Sequence, residues 1–267
     1  MDSFSTPITE ANALRNLISR LAAVSPSQGL IRLGPAGDGG YLVPDDLEGI
    51  EACFSPGVGR TFGFENDCVE LGMQAFLADK SVNRPPAADE AFRFVQKYIG
   101  ATTSTDFMTL DDWVATSLPQ SQSDLLLQID VEGYEYEIFL SMSDRLLKRF
   151  RIIVAEFHEL PMLWSQPFFQ LASRAFDKLL QSHTCVHLHP NNCLGSLVID
   201  DLEIPHLMEF TFLRSDRIEK STLAKHFPHP LDRDNTGKPP LPLPACWYAR
   251  DDVPDDKDRV DPTGALR

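Results

Sequence analysis

Short unbroken apolar runs alternate along this chain with stretches where apolar residues recur every three or four positions. The first pattern suits strands buried on both faces, the second helices packed by one face. Leu14, Leu17, Ile18, Leu21 and Val24 follow helical spacing behind the cap and first-turn proline of Thr6-Pro7. A helix is therefore predicted over 8–24, ended by Pro26 and Gly29. Two short strands, 31–33 and 41–43, flank Gly37-Asp38-Gly39-Gly40, which suits either a hairpin turn or a ligand loop. Ala52-Cys53-Phe54 is a further strand running into Ser55-Pro56-Gly57-Val58-Gly59. A helix over 64–72 and a strand over 74–77 follow, ending at Asp79. Pro85-Pro86 marks a loop, and 88–98 is predicted helical, with Phe92, Val95 and Ile99 on one face. Thr109 is positioned to cap the next helix, with Asp112 at the capping-box position.

The stretch Leu125-Leu-Leu-Gln-Ile-Asp130-Val-Glu132-Gly133 is the most informative. An apolar run too short for a helix reaches an acidic residue and a glycine, and helical spacing resumes near Tyr134. A second buried strand over 151–158 ends in Glu156 and His158. Helix 168–180 and strands 184–189 and 208–213 complete the pattern. Strands alternating with helices predict an α/β fold, a doubly wound, mostly parallel sheet with helices on both faces. The core is assigned to 51–214, preceded by a helix and hairpin segment over 1–50. A proline-rich, charged extension over 215–267 follows, and 250–267 has so little to bury that a mobile tail is expected.

Composition narrows the function. A net charge of −15 excludes a general binder of phosphate backbones and disfavours an anionic membrane surface. Cys53, Cys68, Cys185, Cys193 and Cys246 are scattered, without a CxxC pair, so they form neither a disulfide framework nor a zinc knuckle. Without a signal-peptide pattern at the N-terminus or an apolar run of membrane-spanning length, a cytoplasmic protein is expected, with no nucleic-acid partner and no membrane insertion.

Candidate chemistry gathers at strand ends, where open α/β sheets bind ligands. Gly57 and Gly59 allow close backbone approach to a ligand, and Asp79, about 20 residues on, ends the next strand where a ribose is usually held. Glu65 sits awkwardly for a pyrophosphate but suits a ligand bearing an amine or sulfonium, which favours S-adenosylmethionine over a nicotinamide dinucleotide. Asp130, Glu156 and His158 are candidates for a proton-handling group or an oxygen/nitrogen metal site. Their structural alternatives are a helix cap, an ion pair and a loop residue. His187 and His189 alternate ahead of Pro190-Asn191-Asn192, where one satisfied structural histidine is the default. Trp164, Phe168 and Phe169 would form a lid or a sugar-stacking wall, against the plainer alternative of packing a loop onto the core.

Phe54-Ser-Pro-Gly-Val-Gly59, Phe76-Leu-Ala-Asp79, Leu127-Gln-Ile-Asp-Val-Glu-Gly-Tyr-Glu135 and Ile153-Val-Ala-Glu-Phe-His158 together resemble the FkbM-type S-adenosylmethionine-dependent methyltransferases. The likeness covers about 31–213. It implies a class I, Rossmann-like methyltransferase fold and O-methylation of a sugar-containing or polyketide-type small molecule. By the same resemblance Gly57 and Gly59 would line the cofactor, Asp79 would bind its ribose and Asp130 would sit at the reaction cleft. One departure stands out: Ser55-Pro56 occupies the place where many methyltransferases carry an acid near the cofactor's amino group. Asp38 and Glu65 are the candidates to replace it, beside Ser55 itself. Asp130, His158 and His189 are the candidate bases, and Asp130, Glu156 and His158 the candidate divalent-metal ligands. The rival readings are a methyltransferase-like binding module without catalysis, a nicotinamide-dependent oxidoreductase and a metal-dependent hydrolase.

Overall fold

The computed structural model describes residues 6–59, 61–82, 92–220 and 222–248. The Pro85-Pro86 loop and the 250–267 tail expected from sequence lie outside these residues. The chain begins with α1 (Ala11–Arg20), β1 (Val24–Ser25) and a hairpin of β2 (Leu30–Leu33) and β3 (Tyr41–Pro44). It continues through β4 (Ala52–Pro56), α2 (Gly63–Glu70), β5 (Gln74–Ala78), β6 (Phe92–Val95), β7 (Tyr98–Ile99) and β8 (Phe107–Met108). Then come α3 (Leu110–Ser117), β9 (Leu125–Ile129), α4 (Glu135–Ser141), α5 (Asp144–Leu147) and β10 (Phe150–Phe157). Finally α6 (Gln166–Leu180), β11 (His183–Pro190), the hairpin β12 (Ser196–Ile199) and β13 (Leu202–Pro205), β14 (Met208–Arg214) and β15 (Thr222–Leu223) follow.

Seven of these strands form one sheet in the order β11-β14-β10-β9-β4-β5-β6. β14 runs antiparallel to both its neighbours and the other pairs are parallel. The chain winds outward from β4 through β5 to β6, then returns to the other side of β4 at β9. The order therefore reverses between β4 and β9, and their carboxyl ends mark the position where such sheets bind ligands. This is the class I methyltransferase fold, as the resemblance implied.

Both faces of the sheet are covered, which is why its central strands are apolar without alternation. On one face α1, α3, α4 and α6 bury Leu14, Ile18, Trp113, Phe139 and Phe176 against Phe54, Leu127, Phe157 and Phe210. On the other, Phe64 and Cys68 of α2 and Tyr41 and Val43 of the hairpin pack on Cys53, Leu126, Val154 and Leu213. Burying one such large side chain contributes roughly 1.5–3 kcal/mol. The C-terminal extension also returns to the core: β15 pairs with β1, and Trp247 is buried.

Three local expectations need correction. Where it is described, the helix predicted over 88–98 is strand β6 over 92–95 and then a turn into β7, because pairing with β5 and alternation of buried Phe92 with exposed Arg93 outweigh the chance three-residue spacing of Phe92 and Val95. The first helix starts at Ala11 rather than residue 8, since Ile8 is drawn into an extended bridge with Ser165. Its end also comes early, because Val24 pairs with Leu223. Thr109 does cap α3 by accepting from the Asp112 N–H, but Asp112 turns to the Thr103 hydroxyl instead of closing the capping box.

Gly57 ties the central strands together. Its N–H donates to the Ala78 carbonyl (3.0 Å), and the neighbouring Pro56 carbonyl accepts from the Asp130 N–H (3.3 Å). With φ at +84°, a Cβ on Gly57 would lie 1.4 Å from the Asp130 carbonyl oxygen, whereas one on Gly59 would meet nothing within 4 Å. Gly57→Ala is therefore expected to cost at least about 2 kcal/mol in urea unfolding, and Gly59→Ala less than about 0.5 kcal/mol. Equal effects of the two substitutions would contradict this packing.

Candidate active site

Two cavities meet at the carboxyl ends of β4 and β9. The larger, about 630 Å³, runs over Asp79, Tyr98, Phe107 and Tyr134; the smaller, about 250 Å³, runs under Tyr41 to Glu65 and Gln128. Asp38, Gly57, Gly59 and Asp130 line both. The Asp79 carboxylate is oriented by Ser81, whose N–H and hydroxyl both donate to Oδ1 at 2.7 Å. Tyr98, Phe107 and Tyr134 form a connected aromatic wall, with ring centroids 5.3 and 6.1 Å apart.

Ser55 lies below the smaller cavity rather than on its wall. Its hydroxyl is 2.5 Å from Glu65 Oε1 and 2.6 Å from the oxygen assigned to the Gln128 amide. One hydroxyl proton cannot serve two acceptors, so turning the Gln128 amide over resolves the conflict. Tyr41 then donates to Gln128, Gln128 to Ser55, and Ser55 to the Glu65 carboxylate. Burial raises the Glu65 pKa, and the Ser55 hydrogen bond partly offsets it. Ser55 thus bonds the Glu65 carboxylate, and Glu65 itself lines the cavity.

On the β9–β10 side, Asp130, Glu132 and His158 converge. His158 Nε2 is 3.7 Å from Asp130 Oδ1 and 3.4 Å from Glu132 Oε2. Its Nδ1 lies 2.9 Å from Glu135 Oε1, which also accepts from the N–H groups of Val131 (3.2 Å) and Gly133 (3.1 Å). Glu135 and Tyr136 were not among the expected site residues; their signal was present in the quoted motif, but strand-end logic selects only the acids that precede the helix. Burial, reinforced by Glu156, pushes the Asp130 carboxyl up to about 8. Burial alone would lower the His158 pKa, but the Glu135 hydrogen bond and surrounding carboxylates outweigh it and raise it to about 9.

Among the described residues, the group of three whose ligand atoms all lie within 4.8 Å of one another is Asp130, Glu132 and His158. Glu156 is absent from that group: it is buried and accepts from Asn191 Nδ2 at 2.8 Å. Burial, reinforced by Glu209, takes its pKa up to about 8.

His189 is not brought to this cluster. The register sets Glu156 opposite Glu209 and Glu209 opposite His189. With strand spacings of roughly 4.8 Å, His189 stands about 14 Å across the sheet from the Asp130 strand. Asp232 of the extension holds the β11 histidines instead, 2.9 Å from His187 Nε2 and 3.7 Å from His189 Nδ1. Asn235 likewise donates to Glu209 Oε1 at 2.6 Å. Nothing in the local sequence announces these long-range pairings. Phe168 packs edge-on against Tyr136, so the aromatic loop joins the core there.

With this geometry in place, comparison with known families gives one match. Residues 54–181 match the Methyltransferase FkbM domain. The match begins in β4 and ends just past α6, so it takes in the glycine turn, Asp79, Asp130 and His158. A search of the curated proteins found no match. The matched stretch is similar to a methyltransferase domain, and no helix among the described residues is long and apolar enough to cross a membrane.

The cluster makes stability depend on pH. Folded Glu156, with its pKa moved from 4.5 to about 8, binds more protons than the unfolded chain between those values, so stability falls as pH rises through that window. His158, moved from 6.5 to about 9, stabilises fully below 6.5 and loses that contribution by about 9, so its effect has the same sign. The melting temperature is expected to decline from pH 5 to 9, and Glu156→Gln to flatten that decline. A wild-type profile that rises across this range would contradict the assignment.

Proposed function

We propose that this chain is an S-adenosylmethionine-dependent O-methyltransferase acting on a hydroxyl of a sugar-containing small molecule. The supporting observation is the joined cavity, which carries an acid at each end and Asp130 at the junction. Asp79 suits the ribose hydroxyls, and the wall of Tyr98, Phe107 and Tyr134 offers adenine a flat apolar surface. Glu65, with exposed Asp38 nearby, suits the cofactor's ammonium group. That would replace the acid missing at Ser55. The sulfonium then falls near Gly57, Gly59 and Asp130.

Methyl transfer from a sulfonium is an in-line displacement, so alignment and exclusion of water supply much of the rate. A sugar hydroxyl also needs its proton removed, which typically contributes about 10²–10⁴-fold. With Asp130 raised to about 8 and His158 to about 9, this neighbouring pair becomes able to accept that proton as the pH rises towards those values. The sugar acceptor rests on the family resemblance. Five unpaired cysteines suit a cytoplasmic setting.

A metal-assisted reading draws support from the convergence of Asp130, Glu132 and His158. A divalent ion there would lower the hydroxyl pKa, with Glu132 in the role first expected of Glu156. Titration of the protein with magnesium or manganese alone distinguishes the two: heat of binding lost in Glu132→Ala favours the ion, and no binding favours the direct base.

Calorimetry with S-adenosylhomocysteine and with NADH tests the cofactor. The first is expected to bind and the second not, with Asp79→Ala and Glu65→Gln each weakening affinity about ten-fold or more. Binding of NADH alone would overturn the reading in favour of an oxidoreductase. Binding of neither would favour the non-catalytic module.

A further inference from the structure

His158 is held at both ends by two consecutive residues of α4. The Glu135 carboxylate takes its ring nitrogen Nδ1 at 2.9 Å, and the Tyr136 hydroxyl donates to its backbone carbonyl at 2.7 Å. Both anchors are buried, Glu135 at 0 % exposure and Tyr136 at 1 %. Of the two Glu135 oxygens, Oε2 is buried without a hydrogen-bond partner and Oε1 carries all the contacts. Glu135 Oε1 has three: His158 and the N–H groups of Val131 and Gly133. Those two amides belong to the turn that follows Asp130 and lines the larger cavity. One carboxylate therefore anchors the turn on the cofactor side and the ring on the base side.

From this geometry we infer that Glu135 and Tyr136 are positioning residues for the His158–Asp130 pair, fixing the His158 ring so that Nε2 faces Asp130 and Glu132, which line the larger cavity. This rests on the methyl-transfer reading for its purpose, but the positioning itself is a property of the protein alone. Committing the Nδ1 proton to Glu135 leaves Nε2 as the ring nitrogen that can exchange a proton with Asp130 and Glu132. Second-layer carboxylates commonly set a histidine's tautomer in this way. Tyr136 acts on the other freedom, the position of the backbone from which the ring projects. Its ring packs on Phe157, Phe168 and Phe176, so Tyr136→Phe removes the hydroxyl while keeping the packing.

Nuclear magnetic resonance of the ¹⁵N-histidine-labelled protein reads the His158 ring directly, with and without S-adenosylhomocysteine. The expected result is a slowly exchanging Nδ1 proton in the wild type, lost in Glu135→Gln. In Tyr136→Phe its exchange should be about ten-fold faster, the loss of one hydrogen bond. S-adenosylhomocysteine affinity in Tyr136→Phe should stay within about two-fold of wild type, because its hydroxyl does not line the cavity. With an acceptor in hand, Tyr136→Phe should lower kcat and leave KM for the cofactor nearly unchanged.

A wild-type His158 protonated only on Nε2, or a Nδ1 proton unaffected by Glu135→Gln, would overturn the inference. If Glu135→Gln does not fold, Tyr136→Phe carries the test, and an unchanged exchange rate there overturns it. Failure of the wild type to bind S-adenosylhomocysteine would instead remove the methyl-transfer reading and leave the ring measurement standing. The two failures are therefore distinguishable.

Discussion

Between Gly57 and the Asp130 carbonyl there is no room for even a methyl group, and the cleft is organised around that contact. Two parallel strands that wind in opposite directions diverge at their carboxyl ends, and something must hold the ends in register where the helices leave. Here the holding is done by backbone: Gly57 to Ala78 on one side, Pro56 to Asp130 on the other. Because no side chain intervenes, Asp130 is set against the glycine turn by main-chain geometry. Both cavities then branch from one point and share the same four residues.

The two ends of the sheet handle charge in opposite ways. At the amino end, Asp124 accepts from Arg151 Nε (2.8 Å) and Arg214 Nη1 (2.6 Å), while Asp46 pairs with Arg217. Burial opposes ionisation of Asp124, but the two guanidiniums outweigh it and its pKa is lowered. At the carboxyl end, Asp130, Glu156 and Glu209 are raised to about 8, 8 and 7, with burial the largest cause in each. Asp130 Oδ1, His189 Nε2 and Asn235 Oδ1 are buried there without a hydrogen-bond partner. Satisfied pairs favour stability, while incompletely satisfied acids are the usual mark of a surface shaped for a ligand.

Much of the fold was legible because its signals are local. The runs at 52–54, 125–129 and 151–157 could only be strands buried on both faces, and the acids and glycines just beyond them fall at strand ends by counting. The strand at 92–95 was misread because three- and four-residue spacings arise by chance in short segments, and only its partner β5 decides the matter. The strand-end positions of Asp79, Asp130 and His158 were legible because each immediately follows an apolar strand. Asp232 and Asn235 were not, since they act on residues 45 and 26 positions away and sit in a segment whose composition resembles a linker. Ser55 illustrates a different limit: its position was noticed, but its partners, Glu65 and Gln128 on either side of its hydroxyl, became visible only in the fold.

The sheet order also explains why two similar histidine signals have different fates. His158 and His189 each end a strand, and both strands point the same way, so sequence gives no reason to prefer one. The antiparallel β14 is inserted between them. That insertion moves β11 one further strand away and puts Glu209, rather than His158, beside His189. His189 is left to the extension, where Asp232 and Glu209 outweigh the effect of burial and raise its pKa. His158 stays one strand from Asp130, with its outer nitrogen facing that acid and its inner nitrogen taken by Glu135. Proton transfer needs hydrogen-bond reach or one bridging water, so a modest movement of His158, 3.7 Å from Asp130 Oδ1, would serve where His189, three strands away, could not.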